Sequence, residues 1–227
     1  MDNNKNIYIL NGDEIPFKHS EFSADNKKPK ILFLGNRVTK ESINAGYYYF
    51  GLKKYQNVFW YIISFCFDDK DFETFDTKKV VEALKRHNIV VCDLIYSCKY
   101  TGSSDNETIK GTEIANMKDL TNIIRQADIV FLNGGHNAKA KTGTLDYFHK
   151  FLESFIDRKS VKNKNKVGET GVLVFDDGKK TYYCSLVSSS GEARNISTIS
   201  AYGGRKYSSK EEAWKKEIEK TIKDNLL

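Results

Sequence analysis

Apolar and polar positions follow two different periods along this chain. Residues 30–35 (Lys-Ile-Leu-Phe-Leu-Gly), 89–95 (Ile-Val-Val-Cys-Asp-Leu-Ile) and 129–132 (Ile-Val-Phe-Leu) are short, nearly unbroken apolar runs rich in β-branched side chains. That is the pattern of strands buried on both faces. Between them the spacing changes to three and four. Residues 76–87 and 145–156 predict amphipathic helices, the second with Leu145, Phe148, Phe151, Leu152 and Phe155 on one side. Residues 57–67 are too densely apolar for a surface strand and predict the start of a helix, and residues 117–126 predict another. The alternation of strand and helix predicts an α/β fold whose parallel sheet is covered on both faces.

The last third departs from that alternation. Residues 172–175 and 181–187 flank Asp176-Asp177-Gly178-Lys179, where an Asp-Gly step supplies the positive φ of a tight turn, so the segment predicts a hairpin. Residues 208–222 predict a charged closing helix. Ser208-Ser209-Lys210-Glu211 resembles a capping box at its start, and Trp214 and Ile218, four apart, share a face.

With 227 residues, 40% hydrophobic and 29% charged, the chain can fill one substantial core. A single domain over residues 1–227 is expected, with residues 1–16 as an N-terminal extension and residues 157–170 as a loop insertion. The basic run of residues 158–166 reads as a solvated loop. No apolar run approaches the ~18 residues of a membrane span. The opening Met1-Asp2-Asn3-Asn4-Lys5 lacks the pattern of a signal peptide, so an intracellular protein is expected. Its four cysteines have no C-x-x-C spacing and read as reduced thiols, not as a metal site. The excess of 36 basic over 30 acidic residues, a net charge of +6, suits a polyanionic partner but singles out no function.

Candidate chemistry gathers at a strand end. The run 129–132 leads directly into Asn133-Gly134-Gly135, and in open α/β sheets ligands bind outside the carboxyl ends of the strands. Two readings stand side by side: a polar side chain at the mouth of a site, or a strand that ends in an Asn-Gly turn. His136 and His149 have no partner spacing that suggests a metal or a triad and read as surface or capping residues.

Four blocks share a wider pattern. Phe17-Lys18-His19-Ser20 precedes Ile31-Leu32-Phe33-Leu34-Gly35, followed by Ser42, Gly46, Tyr48, Tyr49, Asn57, Phe59 and Trp60. The second block is residues 87–98 with Gly102-Ser103-Ser104-Asp105 and Ile109. The third is Phe131-Leu132-Asn133-Gly134, and the fourth Leu186-Val187-Ser188-Ser189-Ser190-Gly191. In these blocks the chain resembles the uracil-DNA glycosylase superfamily, specifically its hypoxanthine (deoxyinosine) branch, over about residues 17–220. The resemblance implies a three-layer α/β/α fold with a central, mostly parallel four-stranded sheet, to which the hairpin of the C-terminal third is an extension. It implies a monomer in the cytoplasm, associated with the nucleoid when acting on DNA. Its activity would be hydrolysis of the N-glycosidic bond of a deaminated base, hypoxanthine or uracil, flipped out of DNA, with no metal and no organic cofactor.

The resemblance also distributes roles. Asn133 is the leading catalytic residue, orienting the attacking water or bonding the base edge through an amide that both donates and accepts. Asn36, in the first loop, is its rival. Tyr48 and Tyr49 offer stacking faces for the base beside Gly35. Ser188, Ser189, Ser190 and Ser103 suit contact with DNA phosphates, and Arg194 and Asn195 fall where relatives insert a wedge into the duplex. Asp93 and Asp105 match family positions, either bonding loop amides or taking part in catalysis. The chain departs from the pattern at Arg37, where other branches carry a catalytic Asn or Asp and an arginine cannot serve as a base. The first loop lacks the proline of relatives, and Val187 and Gly191 stand where prolines are usual. These departures suit an alternative, a catalytically inactive glycosylase-like module that binds DNA or protein.

Overall fold

In the computed structural model the described residues are 5–10, 13–18, 21–24, 27–36, 59–74, 76–99, 113–117, 120–135, 143–155, 168–189 and 209–226. Their elements are β1 (Lys5–Leu10), β2 (Asp13–Lys18), β3 (Ile31–Gly35), α1 (Phe59–Phe67), α2 (Thr77–His87), β4 (Ile89–Asp93), β5 (Ile95–Lys99) and β6 (Glu113–Met117), then α3 (Thr121–Gln126), β7 (Ile129–Asn133), α4 (Thr144–Phe155), β8 (Thr170–Val174), β9 (Lys180–Leu186) and α5 (Lys210–Leu226). The fold is α/β, built on a mixed five-stranded sheet of order β4-β3-β7-β9-β8. β4, β3, β7 and β9 are mutually parallel, and β8 closes one edge antiparallel to β9.

β3 and β7 are apolar on both faces because helices cover both. On β3, Leu32 and Leu34 enter one cluster with Ile124 of α3 and with Leu145, Phe148 and Phe151 of α4. Ile31 and Phe33 enter the other with Phe59, Ile62 and Ile63 of α1, Ala83 of α2 and Trp214 of α5. Phe33 is the hub of the second cluster, stacked on Phe131 at 5.4 Å and on Trp214 at 5.9 Å. The helices that follow β3 lie on one face and those that follow β4 and β7 on the other. Between β3 and β7 the connections therefore part to opposite faces, the topology that in open α/β sheets places a ligand crevice outside the carboxyl ends of the strands.

Local chemistry sets the element ends. Asp76 caps α2 by accepting from the amides of Lys78 and Lys79 at 2.9 and 3.4 Å. Asn88 ends it in the left-handed region at φ +54, which asparagine tolerates. Its amide also accepts from Ser23 N at 3.1 Å and donates to Lys28 O at 2.9 Å, stitching the approach to β3 onto the sheet. At the start of α5 the cap is Ser209, whose hydroxyl accepts from Glu212 N at 3.1 Å; the box is therefore one residue later than the spacing predicts.

Several expectations are corrected. The central sheet has five strands, not four, because the hairpin is no appendage: β9 takes the free edge of β7, from Ile129 opposite Tyr182 to Asn133 opposite Leu186, and carries β8 with it. The run 89–95 is two strands. At Leu94 the chain leaves the first sheet, its amide bonded to Gly35 O at 3.0 Å, and β5 joins a second, four-stranded sheet of order β2-β1-β5-β6. The N-terminal segment expected as an extension supplies β1 and β2 of that sheet. Met117, expected as the first residue of the helix over 117–126, instead ends β6, which pairs with β5, and α3 begins only at Thr121. Cys66, Cys92 and Cys184 are free thiols among the described residues, and burial pushes Cys66 up to about 12.

The hairpin turns through Gly178 at φ +81, and Phe175 N bonds Lys179 O at 2.9 Å. Within it Gly171 faces Tyr183, and a Cβ there would sit 2.4 Å from Tyr183 Cε1. The ring occupies the space a side chain would need. Gly171→Ala is expected to lower stability by about 1–3 kcal/mol, read as a lower urea midpoint; an unchanged midpoint would refute this packing.

Far from the strand ends, Asp69 gathers Arg86 at 2.6 Å and His87 Nε2 at 2.8 Å. Burial pushes the Asp69 carboxyl up, but the bonds from Arg86, His87 and the Asp71 amide outweigh it and hold the group below its usual range. Burial also lowers His87, with Asp69 opposing. A depressed carboxyl contributes stability that is fully present above its unfolded pKa and lost as pH falls through the lower folded one, so the contribution of Asp69 should begin to decline below about pH 4. Asp69→Asn is expected to be less stable at pH 7 and to lose less on acidification to pH 3, checked by urea unfolding at both pH values.

Candidate functional site

The carboxyl ends of the parallel strands bring together residues far apart in sequence. β3 ends at Gly35 and β4 at Asp93, which are register partners. β7 ends at Asn133, one step beyond the Leu34 and Leu132 pair, so Gly35 and Asn133 lie level on neighbouring strands about 5 Å apart. Past the end of β9 come Ser188 and Ser189. By strand alternation Gly35, Asp93 and Asn133 point to the face of α1 and α5.

Asn133 is fixed at both its main chain and its side chain. The Thr144 hydroxyl, at the start of α4, donates to the Asn133 carbonyl at 2.9 Å. The Asn133 side-chain oxygen accepts from Ser189 N at 2.9 Å, while its Nδ2 donates to Ser189 Oγ at 3.0 Å. The main-chain N–H can only donate, so the amide orientation is determined by its partner. Gly134 follows at φ +129, its N–H directed to Leu186 O at 3.2 Å and Leu132 O at 2.9 Å. A Cβ at Gly134 would lie 2.9 Å from Thr144 Oγ1 and 3.8 Å from Ser188 Cβ. The serine segment is anchored from the other side by Trp214, whose indole N–H donates to Val187 O at 2.9 Å.

Of the residues singled out from sequence, Asn133, Ser188 and Ser189 are brought together, with Gly35 and Asn36 on the adjoining strand end. Asn36 is half-buried, and its carbonyl accepts from Ile95 N at 3.1 Å. Ser189 is 5% exposed and faces Asn133. Asp93 is fully buried beside Gly35. Tyr48, Tyr49, Ser103, Ser190, Arg194 and Asn195 lie outside the described residues, as do Arg37, Asp105 and His136.

One polar cluster escaped the sequence reading. His149, expected at the surface or at a cap, is half-buried on α4 with Nε2 3.1 Å from Glu169 Oε1. The Tyr183 hydroxyl donates to the same oxygen at 3.0 Å, and burial followed by the Glu169 charge raises the Tyr183 phenol above its usual range. Glu169 Oε2 is buried with no hydrogen-bond partner among the described residues. Nothing local marks these residues: the three sit on a helix, before a strand and within one. Among the described residues no group of three or more His, Cys, Asp or Glu side chains is arranged to hold a metal ion.

Chemically, the groups that meet at Asn133 are an amide and hydroxyls, with the Asp93 carboxyl buried at the end of β4 beside Gly35. A fixed amide and hydroxyls at a strand-end crevice can hold a water or bond a polar ligand. Neither a family model nor a curated protein matches the chain.

Both the positive φ and the lack of space at Gly134 bear on the site. Gly134→Ala is expected to cost about 1–3 kcal/mol and to shift the backbone resonances of Asn133 and Thr144. A substitution that leaves both stability and those resonances unchanged would refute the tight approach of α4 to β7.

Proposed function

We propose that the chain is a monofunctional DNA glycosylase of the uracil-DNA glycosylase kind, with a three-layer α/β/α core, that removes a deaminated base, hypoxanthine or uracil, from DNA. The single observation that carries this reading is the contact between Asn133 and Ser189. Two of the blocks on which the family resemblance rests, separated by 56 positions, meet side chain to side chain at the carboxyl edge of a parallel sheet, level with Gly35 of a third.

In this reading the target nucleotide swings out of the helix into the crevice between the ends of β3 and β7. Tyr48 and Tyr49 stack on the base, and Ser188, Ser190, Ser103, Arg194 and Asn195 contact the flanking DNA. Asn133 orients a water below the deoxyribose. As the bond from the base nitrogen to C1′ breaks, its electron pair leaves with the base, which takes up a proton. The water oxygen bonds to C1′ and gives up its proton, leaving an abasic sugar and a free base. The positive charge that develops on the sugar needs no residue of high basicity, so neutral amides and hydroxyls suffice if they are held in place beforehand. The protein acts as a monomer on nucleoid DNA in the cytoplasm.

A second reading, a glycosylase-like module that binds DNA or protein without catalysis, is favoured by one feature: the Asn133 amide already has a donor and an acceptor engaged within the chain.

The test is a panel of oligonucleotide duplexes and single strands carrying one deoxyinosine or deoxyuridine. The glycosylase reading expects an alkali-sensitive abasic site in at least one substrate, with activity reduced by roughly a hundredfold or more in Asn133→Ala. Tight binding without cleavage, unaffected by Asn133→Ala, would establish the second reading and overturn the first.

A further inference from the structure

A primary amide has two edges. On one, the oxygen and the N–H cis to it point the same way and form a bidentate pair. The remaining lone pair and the trans N–H diverge to opposite sides. Asn133 makes its two side-chain bonds to one residue, accepting from Ser189 N at 2.9 Å and donating to Ser189 Oγ at 3.0 Å. Partners only an N–Cα–Cβ–Oγ span apart are reached together from the bidentate edge alone. That edge is closed.

Ser189, for its part, has committed its main-chain N–H and accepts at its hydroxyl. It is 5% exposed, and the neighbouring Val187 carbonyl is held by Trp214, which keeps the segment against the sheet. A phosphate ligand needs outward donors, and a main-chain N–H already spent on Asn133 is not one of them.

We infer that Ser189 is a positioning residue that holds the Asn133 amide in one orientation, and that Asn133 therefore meets its ligand through a single hydrogen bond and does not read the base. The bidentate recognition by which an amide reads the edge of a purine requires the edge that Ser189 occupies. Discrimination between hypoxanthine and uracil then falls to other groups, and Asn133 is left to orient the water. The Asn133–Ser189 clasp also supplies rigidity at the loop where relatives of the resembled family place prolines and this chain has Val187 and Gly191. The catalytic half of this inference rests on the glycosylase reading; the clasp itself does not.

The experiment compares wild type, Ser189→Ala and Ser189→Thr by two measurements. Cleavage kinetics on deoxyinosine and deoxyuridine substrates should show kcat reduced roughly tenfold in Ser189→Ala, in line with one lost hydrogen bond. KM and the ratio of the two substrates should be unchanged, and Ser189→Thr, which keeps the hydroxyl, should recover most of the rate. Proton exchange of the assigned Asn133 side-chain amide should be slowed in wild type and in Ser189→Thr, and fast in Ser189→Ala. A raised KM with a smaller salt dependence would make Ser189 a phosphate ligand and overturn the inference, and a changed substrate ratio would overturn the claim that Asn133 does not read the base. If wild type cleaves neither substrate, the glycosylase reading has failed on its own, and the amide exchange still decides the clasp: equal exchange in all three proteins refutes it.

Discussion

Strand β7 is hydrogen-bonded on both sides, to β3 and β9, and packed on both faces, and this confinement governs the geometry of the whole strand edge. A strand with one solvated face can slip at moderate cost, but here a slip of one residue would send Phe131 to the side of α4 and Val130 into the space beside Phe33 and Trp214. Burial of each large side chain stabilises by about 1.5–3 kcal/mol relative to exposure, so several such mismatches would exceed the whole stability of an ordinary domain. Register is therefore unique. With it the side of the sheet to which Asn133 points is decided, and so is its meeting with the segment that follows β9.

The polar residues at the two ends of these strands show how the interior handles groups that water would otherwise satisfy. Thr181 turns its hydroxyl onto the carbonyls of Ile124 and Ala127 at 3.0 and 2.9 Å, closing the end of α3. Asp128 receives Lys30 N at 2.9 Å and Lys179 at 2.8 Å, pinning the opposite ends of β3 and the hairpin. Asn133 and Ser189 satisfy each other in the same manner. Glu169 is handled differently: His149 Nε2 and the Tyr183 hydroxyl share one carboxylate oxygen, and the other has no hydrogen-bond partner among the described residues, a costly arrangement for a buried acceptor.

Much of the fold was legible in the sequence because its signals are local. The apolar runs of β3, β4 and β7 need no periodicity to be recognised as doubly buried, and α2 announces itself by its Asp76 cap and spacing. The hairpin turn follows from Asp177-Gly178. What was not legible depended on partners. Whether the hairpin extends the sheet or stands apart is decided by the open hydrogen-bonding edge of β7, which no residue of β9 encodes by itself. Met117 reads as the first residue of a helix, and its pairing with Ile95 of β5 puts it in a strand instead. At the candidate site, Asn133 stands out because an amide between a strand and two glycines is unusual. Ser189 does not reveal its role, since a hydroxyl that faces a phosphate and one that faces a buried amide are identical in sequence. His149, Glu169 and Tyr183 are joined by the close approach over Gly171, which is a feature of three dimensions alone.

The Phe33 and Trp214 stack joins residues near the two ends of the described chain. During synthesis Phe33 is made long before Trp214, so the aromatic surface of the growing sheet stays uncovered until α5 has been added. The same holds for the edge of β7, which waits for β9. The strand edge that carries Asn133 therefore acquires its final shape only after β9 has paired with β7 and Trp214 of α5 has reached the Val187 carbonyl.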